Sequence, residues 1–115
     1  MQFSESLNKN YEFRRLYAKG RSAVAPTLVV YMRRVKRDTN RVGFTVTVKL
    51  GKAVVRNRVR RRLREIYRLH EGEIARGVDM VVVARGRSID AAYARLEQDF
   101  LLCCEKLGIR EVSKP

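Results

Sequence analysis

Residues 41–70, RVGFTVTVKLGKAVVRNRVRRRLREIYRLH, change from one hydrophobic period to another and thereby decide the fold. In the first part, Arg41–Lys49, apolar and polar side chains alternate, which is the period of a half-buried β-strand. One face should therefore meet a core, while the other stays polar and open to a ligand. The core-facing set is Val42, Phe44, Val46 and Val48, and the open set is Gly43, Thr45, Thr47 and Lys49.

The helical period begins after Gly51 and predicts a helix over about Ala53–His70. Its apolar positions fall at the i, i+4, i+8 and i+11 spacing of a stripe that packs on a core. A glycine, either Gly72 or Gly77, is expected to end this region. The stripe consists of Val55, Val59, Leu63 and Ile66.

Two further segments precede this strand and helix. A first helix is predicted over about Glu12–Ala18, where Asn8 or Asn10 is suited to cap the start and Gly20 to mark the end. The run Thr27–Val35 is rich in β-branched residues and predicts a strand. A charged turn then leads into the alternating segment.

The C-terminal part adds a strand and a helix. The apolar run within Val78–Ala84 predicts a strand that is covered on both faces. A short additional strand near Ser22–Ala25 is weakly signalled. Ser88 is expected to cap a final helix that ends near Gly108. The apolar stripe of that helix comprises Tyr93, Leu96, Phe100, Cys103 or Cys104, and Leu107.

The order of helix, strands, helix, strand and helix predicts an α+β fold. We expect a two-layer sandwich of a sheet with about four strands and three helices. The length of 115 residues fits one domain over residues 1–115. Its core should span about residues 7–108, with frayed termini that include Ile109–Pro115.

The charge balance points to a polyanionic partner. The chain has 26 Lys and Arg residues against 12 Asp and Glu residues, which gives a net charge of +14. Such a chain repels itself, and it gains free energy by releasing counterions when it neutralises phosphates. Nucleic acid is the first candidate, and an anionic membrane is the second.

Membrane insertion and secretion are not favoured by the pattern. No apolar run approaches the roughly 20 residues that a spanning helix needs. The N-terminus, MQFSESLNKN, lacks the apolar centre of a signal peptide. Cys103 and Cys104 are adjacent and do not form a disulfide framework. We therefore expect a cytoplasmic protein.

The predicted central helix is unusually rich in arginine. Only Glu65 opposes its positive charges, and like charges spaced i,i+4 repel by a few tenths of a kcal/mol per pair. A solvated helix face would normally mix both signs. Arginine also grips phosphate oxygens with two donors and stacks on bases. The basic residues are Lys52, Arg56, Arg58, Arg60, Arg61, Arg62, Arg64 and Arg68.

Three segments in register resemble the ribonuclease P protein family. The segment from Gly51 to Glu65, GKAVVRNRVRRRLRE, is similar to the family's RNR signature. The preceding RVGFTVTVKLG resembles its central strand, and Phe13–Gly20, FRRLYAKG, resembles its first helix. The similarity runs from about Leu7 to Leu107 with the order and spacing kept.

The resemblance implies a fold and a task. The family fold is shared with a ribosomal protein domain, and its β-α-β crossover is left-handed, against the usual rule. Its sheet forms a cleft for the single-stranded 5′ leader of precursor tRNA, and its arginine-rich helix contacts the catalytic RNA. The expected activity is endonucleolytic removal of the leader to make the mature tRNA 5′ end.

The family's two contact surfaces map onto positions of this chain that match its motifs. Aromatic rings offer faces for unstacked bases, and threonine and arginine side chains offer contacts to the backbone. The residues expected to contact the leader are Phe13, Tyr17, Tyr31, Thr45, Thr47, Lys49, Arg60 and Arg64. Those expected to contact the catalytic RNA are Lys52, Arg56, Asn57, Arg58, Arg61, Arg62 and Arg68. One departure is Val48, where the family usually has a lysine.

No residue set suits catalysis by the protein itself. His70 is the only histidine, and it is expected at a helix end with no evident partner. The acids are scattered, without the pairs or spacing that a general base or a metal cage needs. Cleavage is therefore expected from the RNA with Mg²⁺ bound mainly by that RNA, and the protein alone should be inactive. No organic cofactor and no metal bound by the protein are expected.

Three other classes share some of these features. A ribosomal-type structural RNA-binding protein has the same charge and fold class, but it should not prefer precursor over mature tRNA. A DNA-binding module would lay the arginine helix in a major groove, yet no turn and recognition helix is evident. A free-standing nuclease would need the missing acid–base set.

Overall fold

The computed structural model describes residues 2–111, which form one five-stranded sheet and three helices. Short 3₁₀ turns connect several of these elements. The strands are β1 Ser4–Ser6, β2 Arg21–Val24, β3 Leu28–Arg34, β4 Asn40–Thr45 and β5 Val78–Ala84. The helices are α1 Asn10–Lys19, α2 Ala53–His70 and α3 Tyr93–Lys106.

Strand β5 lies at the centre of the sheet, whose order is β1-β4-β5-β3-β2. It pairs antiparallel with β3 and parallel with β4, and all of its residues but Val83 are buried. The predicted strand Val78–Ala84 and its burial on both faces are therefore confirmed. Because β4 and β5 are parallel, α2 must cross between them. The left hand of that crossover stays a prediction.

The helices lie on both faces of the sheet. On one face α2 and α3 cover a core that includes Met32, Val82 and Phe100. On the other face α1 packs through Leu16 against Leu7 and the β5 residue Val81. The α+β class is confirmed, and α1 adds a partial layer on the face opposite the main core.

The fifth strand, β1, was not expected from the sequence. It pairs in parallel with β4, and hydrogen bonds join this N-terminal segment to α2 and to the 3₁₀ turn that follows α2. The carboxylate of Glu71 accepts the backbone N–H groups of Gln2 at 2.6 Å and of Phe3 at 3.2 Å. The Ser4 hydroxyl lies 2.7 Å from the hydroxyl of Tyr67. The weakly signalled strand near Ser22–Ala25 is present as β2.

Strand β4 is shorter than its alternating sequence predicts. Val42 and Val46 are buried as expected, but Val48 is 73% exposed, so its predicted place in the core is wrong. Pairing with β5 ends at Thr45, and beyond it no strand supports the extended chain. The chain instead forms a 3₁₀ turn over Val48–Leu50, and Gly51 enters α2 at a φ of +140°.

The predicted bounds of α2 are confirmed, and those of α3 are shifted. Ser88 does not cap α3; it lies buried in a 3₁₀ turn, and the helix begins after Ala92. Most of the predicted stripe of α3 is buried, including Leu96, Phe100, both cysteines and Leu107, whereas Tyr93 is only half-buried. Burial raises the pKa of the Cys103 thiol to about 11 and raises that of Cys104 as well.

The C-terminal segment is ordered further than expected. The side chain of Ile109 is fully buried, and its carbonyl accepts the N–H of Ala75 at 2.8 Å. Arg110 forms a β-bridge with Ile74. Fraying is therefore wrong for residues 109–111, because this short pairing covers the end of the core. The rest of that prediction, residues 112–115, lies outside the described residues.

His70 has two partners, contrary to the expectation from sequence. Its Nε2 lies 2.8 Å from a carboxylate oxygen of Glu97 on α3, and its Nδ1 contacts Glu73. Both ring nitrogens must donate to satisfy two carboxylates, which requires the imidazolium form. Burial lowers the pKa of His70, but the hydrogen bonds to Glu97 and Glu73 raise it above its ordinary value. The cluster ties the end of α2 to α3.

This cluster predicts a pH-dependent contribution to stability. The folded-state pKa of His70 lies above that of the unfolded chain, so its stabilisation is complete below about pH 6.5 and is lost as the pH rises through the folded-state pKa. We expect His70→Gln to lower the free energy of unfolding by about 1–2 kcal/mol near pH 6 and by much less near pH 9. Urea unfolding at both pH values measures this. An equal loss at both values would contradict the charged bridge.

Candidate nucleic-acid interface

A groove runs between α1 and α2 along the free edge of β4. Strand β1 pairs with β4 only as far as Val42. The last hydrogen bond runs from the N–H of Leu7 to the Val42 carbonyl at 2.9 Å. Beyond that point the edge is uncovered, and two adjoining cavities of about 590 and about 410 Å³ open over it. Both cavities are lined by Phe13, Phe44 and Arg60, so they form one continuous groove.

Aromatic rings form the α1 side and the floor of the groove. The ring of Phe13 rests on the backbone at Gly43, where a Cβ atom would lie 2.6 Å from the ring and 2.9 Å from the Leu7 carbonyl oxygen. Tyr17 is 42% exposed and meets Tyr31 edge to face, with ring centroids 4.9 Å apart. The groove therefore offers partly exposed rings in fixed positions.

The acids beneath the groove are already neutralised. The guanidinium of Arg41 contacts the buried carboxylate of Glu12 and also binds Asp79 at 3.0 Å. Arg37 pairs with the same aspartate. The hydrogen bond to Asp79 raises the pKa of Arg41 despite its partial burial. The arginines that line the groove consequently keep an uncompensated positive field.

The basic face of α2 divides into tethered and free side chains. Arg56 donates to the Gly51 carbonyl at 3.1 Å, and Arg60 donates to the side-chain oxygen of Asn57 at 2.9 Å. Arg62 turns toward α3 and donates to the Ala91 carbonyl at 3.3 Å. Arg68 lies 3.9 Å from Glu65. Within residues 2–111, the exposed side chains Arg58, Arg61 and Arg64 make no ion pair.

The N-terminal end of α2 adds to this positive field. Its first turn carries no acidic residue, and its N-cap residue, Lys52, makes no side-chain capping bond. The helix dipole places about half a positive charge at this end, where acidic residues usually lie. An anion bound here would relieve the unfavourable arrangement.

The structure assembles most of the predicted leader residues. Phe13, Tyr17, Thr45, Arg60 and Arg64 line the groove, and Tyr31 supports Tyr17 from behind. Thr47 and Lys49 do not lie on the open face of β4, because the strand ends before them; both are exposed in the turn before α2. The residues expected to contact the catalytic RNA all lie on α2 or at its N-cap, namely Lys52, Arg56, Asn57, Arg58, Arg61, Arg62 and Arg68.

Several groove residues were missed by the sequence analysis. Arg14 and Phe44 line the groove, although the alternation assigns Phe44 to the core. The Phe44 ring does pack edge to face on Tyr67, so only part of it is exposed. Asn8 and Asn10 line the groove instead of capping α1, whose N-cap is Lys9. Only the proximity of Arg14 to Phe13 in sequence could have signalled its position.

The described residues hold neither a cluster suited to a metal ion nor a membrane-spanning helix. Among residues 2–111, no group of three His, Cys, Asp or Glu side chains is placed to hold a metal ion. None of the helices in that range is long and apolar enough to cross a bilayer. The rings and arginines that line the groove suit the bases and phosphates of a strand of nucleic acid, and the described residues that line it include no histidine, cysteine or carboxylate.

Fold and groove together define a basic α+β RNA-binding protein. The family model for ribonuclease P matches residues 1–108. A ribonuclease P protein component from Alkaliphilus metalliredigens is 40% identical over 109 residues, which cover 95% of this chain and 98% of the relative.

Two solved structures have the same fold. The ribonuclease P protein of Staphylococcus aureus superposes with a TM-score of 0.84 at 31% identity, covering 92% of this chain and 97% of that one. The Thermotoga maritima protein superposes with a TM-score of 0.81 at 29% identity, covering 89% and 96%.

The chain belongs to the ribonuclease P protein family. It is a protein subunit of ribonuclease P, the tRNA-processing endoribonuclease in which the RNA subunit carries the catalysis. The ribonuclease P RNA is accordingly its partner. The resemblance seen in the sequence is thereby confirmed, and the structural RNA-binding protein, the DNA-binding module and the free-standing nuclease are set aside.

The contact between Phe13 and Gly43 predicts a sharp effect of one methyl group. Gly43→Ala must displace the ring or the backbone, and overpacking of this kind costs about 1–3 kcal/mol. We expect the Tm to fall by roughly 4–15 °C. Gly72→Ala is the matched control, because nothing lies within 4 Å of its added Cβ. Equal Tm values for the two variants would show that Phe13 is not seated as described.

Proposed function

We propose that the groove binds the single-stranded 5′ leader of precursor tRNA while the outer face of α2 binds the ribonuclease P RNA. The observation that carries this proposal is the meeting of partly exposed rings and arginines along one free strand edge. Aromatic rings stack on bases of any sequence, and arginines donate hydrogen bonds to the phosphates that join those bases. A leader of variable sequence is the ligand that such a groove suits.

The aromatic side of the groove accounts for tolerance of leader sequence. Phe13 is fixed by the close approach of Gly43, and Tyr17 is supported by Tyr31, so stacking costs little reordering. Stacking of a base on such a ring is worth roughly 1–3 kcal/mol. The Tyr17 hydroxyl lies 3.4 Å from that of Thr45, and both can bind a phosphate or sugar oxygen.

The arginine side accounts for two separate contacts. Arg60 and Arg64 line the groove and point to the leader, whereas Arg58 and Arg61 lie outside it and suit the catalytic RNA. The tethered side chains of Arg56 and Arg62 fix the N-terminal turn and the packing of α2. The helix therefore lies between the two RNAs.

The protein's role in cleavage is then indirect. It reduces the repulsion between the phosphates of the two RNAs and holds the leader. Both effects would favour productive binding of Mg²⁺ by the RNA. Mg²⁺ held by that RNA would supply the activation of water for attack on the phosphodiester. The products are a mature tRNA with a 5′ phosphate and a leader with a 3′ hydroxyl. We place this reaction in the cytoplasm, where thiols such as the unpaired Cys103 and Cys104 are kept reduced.

The decisive experiment is cleavage of precursor tRNA by a bacterial ribonuclease P RNA at low Mg²⁺ concentration. We expect correct 5′ cleavage only when the full-length protein is added, and no cleavage by the protein alone. Mature tRNA should compete more weakly than precursor. Equal affinity for precursor and mature tRNA would overturn the leader proposal, even if cleavage were stimulated.

The division of the α2 arginines predicts that two double variants, each of which removes two positive charges, affect different RNAs. Arg60→Ala/Arg64→Ala should weaken binding of precursor by the holoenzyme roughly tenfold and leave leaderless tRNA unaffected. Arg58→Ala/Arg61→Ala should instead weaken binding of the protein to the catalytic RNA. Filter binding with each RNA separates the two effects. If both pairs weaken the same step, the division is wrong.

The exposed position of Val48 predicts a gain of function. A lysine at that position costs no core packing, so Val48→Lys should change the free energy of unfolding by less than about 0.5 kcal/mol. It should strengthen RNA binding by the holoenzyme roughly threefold and steepen its salt dependence by about 0.7. Leu102→Lys, on the exposed side of α3, adds the same charge as a control. An equal gain in both variants would indicate a general charge effect.

A further inference from the structure

A second basic cavity lies at the corner where α1 turns into β2. Its volume is about 290 Å³, and it is separate from the groove along β4. Four positive side chains surround it with only Met32 between them. They are Lys19, Arg21, Arg33 and Arg34.

Within the described part of the chain, none of these four charges is paired with an acidic side chain. Arg34 donates to the Gly108 carbonyl at 3.1 Å, but within the described part of the chain Lys19, Arg21 and Arg33 take part in no salt bridge. Asp79 lies directly opposite Arg33 in the sheet register, yet its carboxylate is held by two other arginines. The cavity therefore keeps a net positive charge that no neighbour neutralises.

The backbone at this corner is tightly packed, so the four basic side chains start from closely spaced positions. A Cβ at Gly20 would lie 2.5 Å from the Leu16 carbonyl oxygen and 2.9 Å from that of Met32. The N–H of Gly20 also donates to Leu16 at 2.9 Å. A basic residue at the end of a helix can simply complement the helix dipole, which explains Lys19. It does not explain Arg21 or Arg33, which belong to strands.

The position of the cavity relates it to the groove rather than to α2. Strand β2 forms the sheet edge opposite β1 and β4, three strand spacings or roughly 14 Å away from β4. The exposed side of α1 connects the two places. Arg14 lines the groove, Arg15 follows it, and Lys19 lies one turn further at the cavity.

We propose that this cavity binds backbone phosphates of the leader after it leaves the groove. This inference rests on the proposed function of the groove. The strand would follow the basic side of α1, so leader nucleotides further from the cleavage site would add affinity without any sequence preference. The catalytic RNA could supply the same phosphates, and the experiment separates these two sources.

The test compares two precursors in the holoenzyme, one with a short leader that ends in the groove and one with a longer leader. Lys19→Ala/Arg33→Ala should weaken binding of the long-leader precursor roughly 3- to 10-fold and lower its salt slope by about 0.7 per lost contact. Binding of the short-leader precursor and of the catalytic RNA alone should not change. Lys36→Ala/Arg87→Ala removes the same charge from exposed sites outside both cavities.

Each outcome has a distinct meaning. Loss of affinity confined to the long leader, and absent from the control variant, supports the proposal. Loss of affinity for the catalytic RNA overturns it in favour of that RNA as the source of the phosphates. Equal behaviour of wild type and variant on all three RNAs overturns it altogether. If wild type itself does not distinguish precursor from mature tRNA, the groove proposal fails instead.

Discussion

The parallel pairing of β4 with β5 is the constraint on which the rest of this molecule depends. Parallel neighbours cannot be joined by a tight turn, so α2 has to cross the sheet between them. The side chain of Asn40 secures the start of both strands, because it accepts the Val78 N–H and donates to the Ala75 carbonyl, each at 2.9 Å. This pairing sets the register of β4 and brings the arginines of α2 beside its free edge.

Buried acidic side chains of this fold are paired, whereas its excess positive charge lies at the surface. The buried carboxylates of Glu12, Asp79 and Asp99 each contact an arginine, while most of the excess cations remain at the surface. The folded protein alone therefore carries a strong internal repulsion. RNA relieves this repulsion, and a ligand that binds only the folded state stabilises it by mass action. Binding and stability are linked through the same side chains.

Much of the fold could be predicted because its main elements have clear local periods. The bounds of α2 and β5 followed from their hydrophobic spacing, and Phe13 and Tyr17 followed from the resemblance of α1. Features held by distant contacts could not be predicted. Strand β1 depends on bonds to Glu71, far along the chain, and the bridge of His70 depends on α3. The alternation also continues past the end of β4, since a pattern does not record where the neighbouring strand stops.

The uncovered edge of β4 has a further consequence for the free protein. An unpaired strand edge is a template on which another chain can add a strand, and this route leads to aggregation. Here the edge lies recessed between two helices, and the positive charges of Arg60 and Arg64 beside it repel a second copy of this basic chain. Salt screens this repulsion, whose range falls to about 10 Å at an ionic strength of 0.1 M. The same arginines that suit the groove for RNA thus also oppose the addition of a second chain at this edge in the free protein.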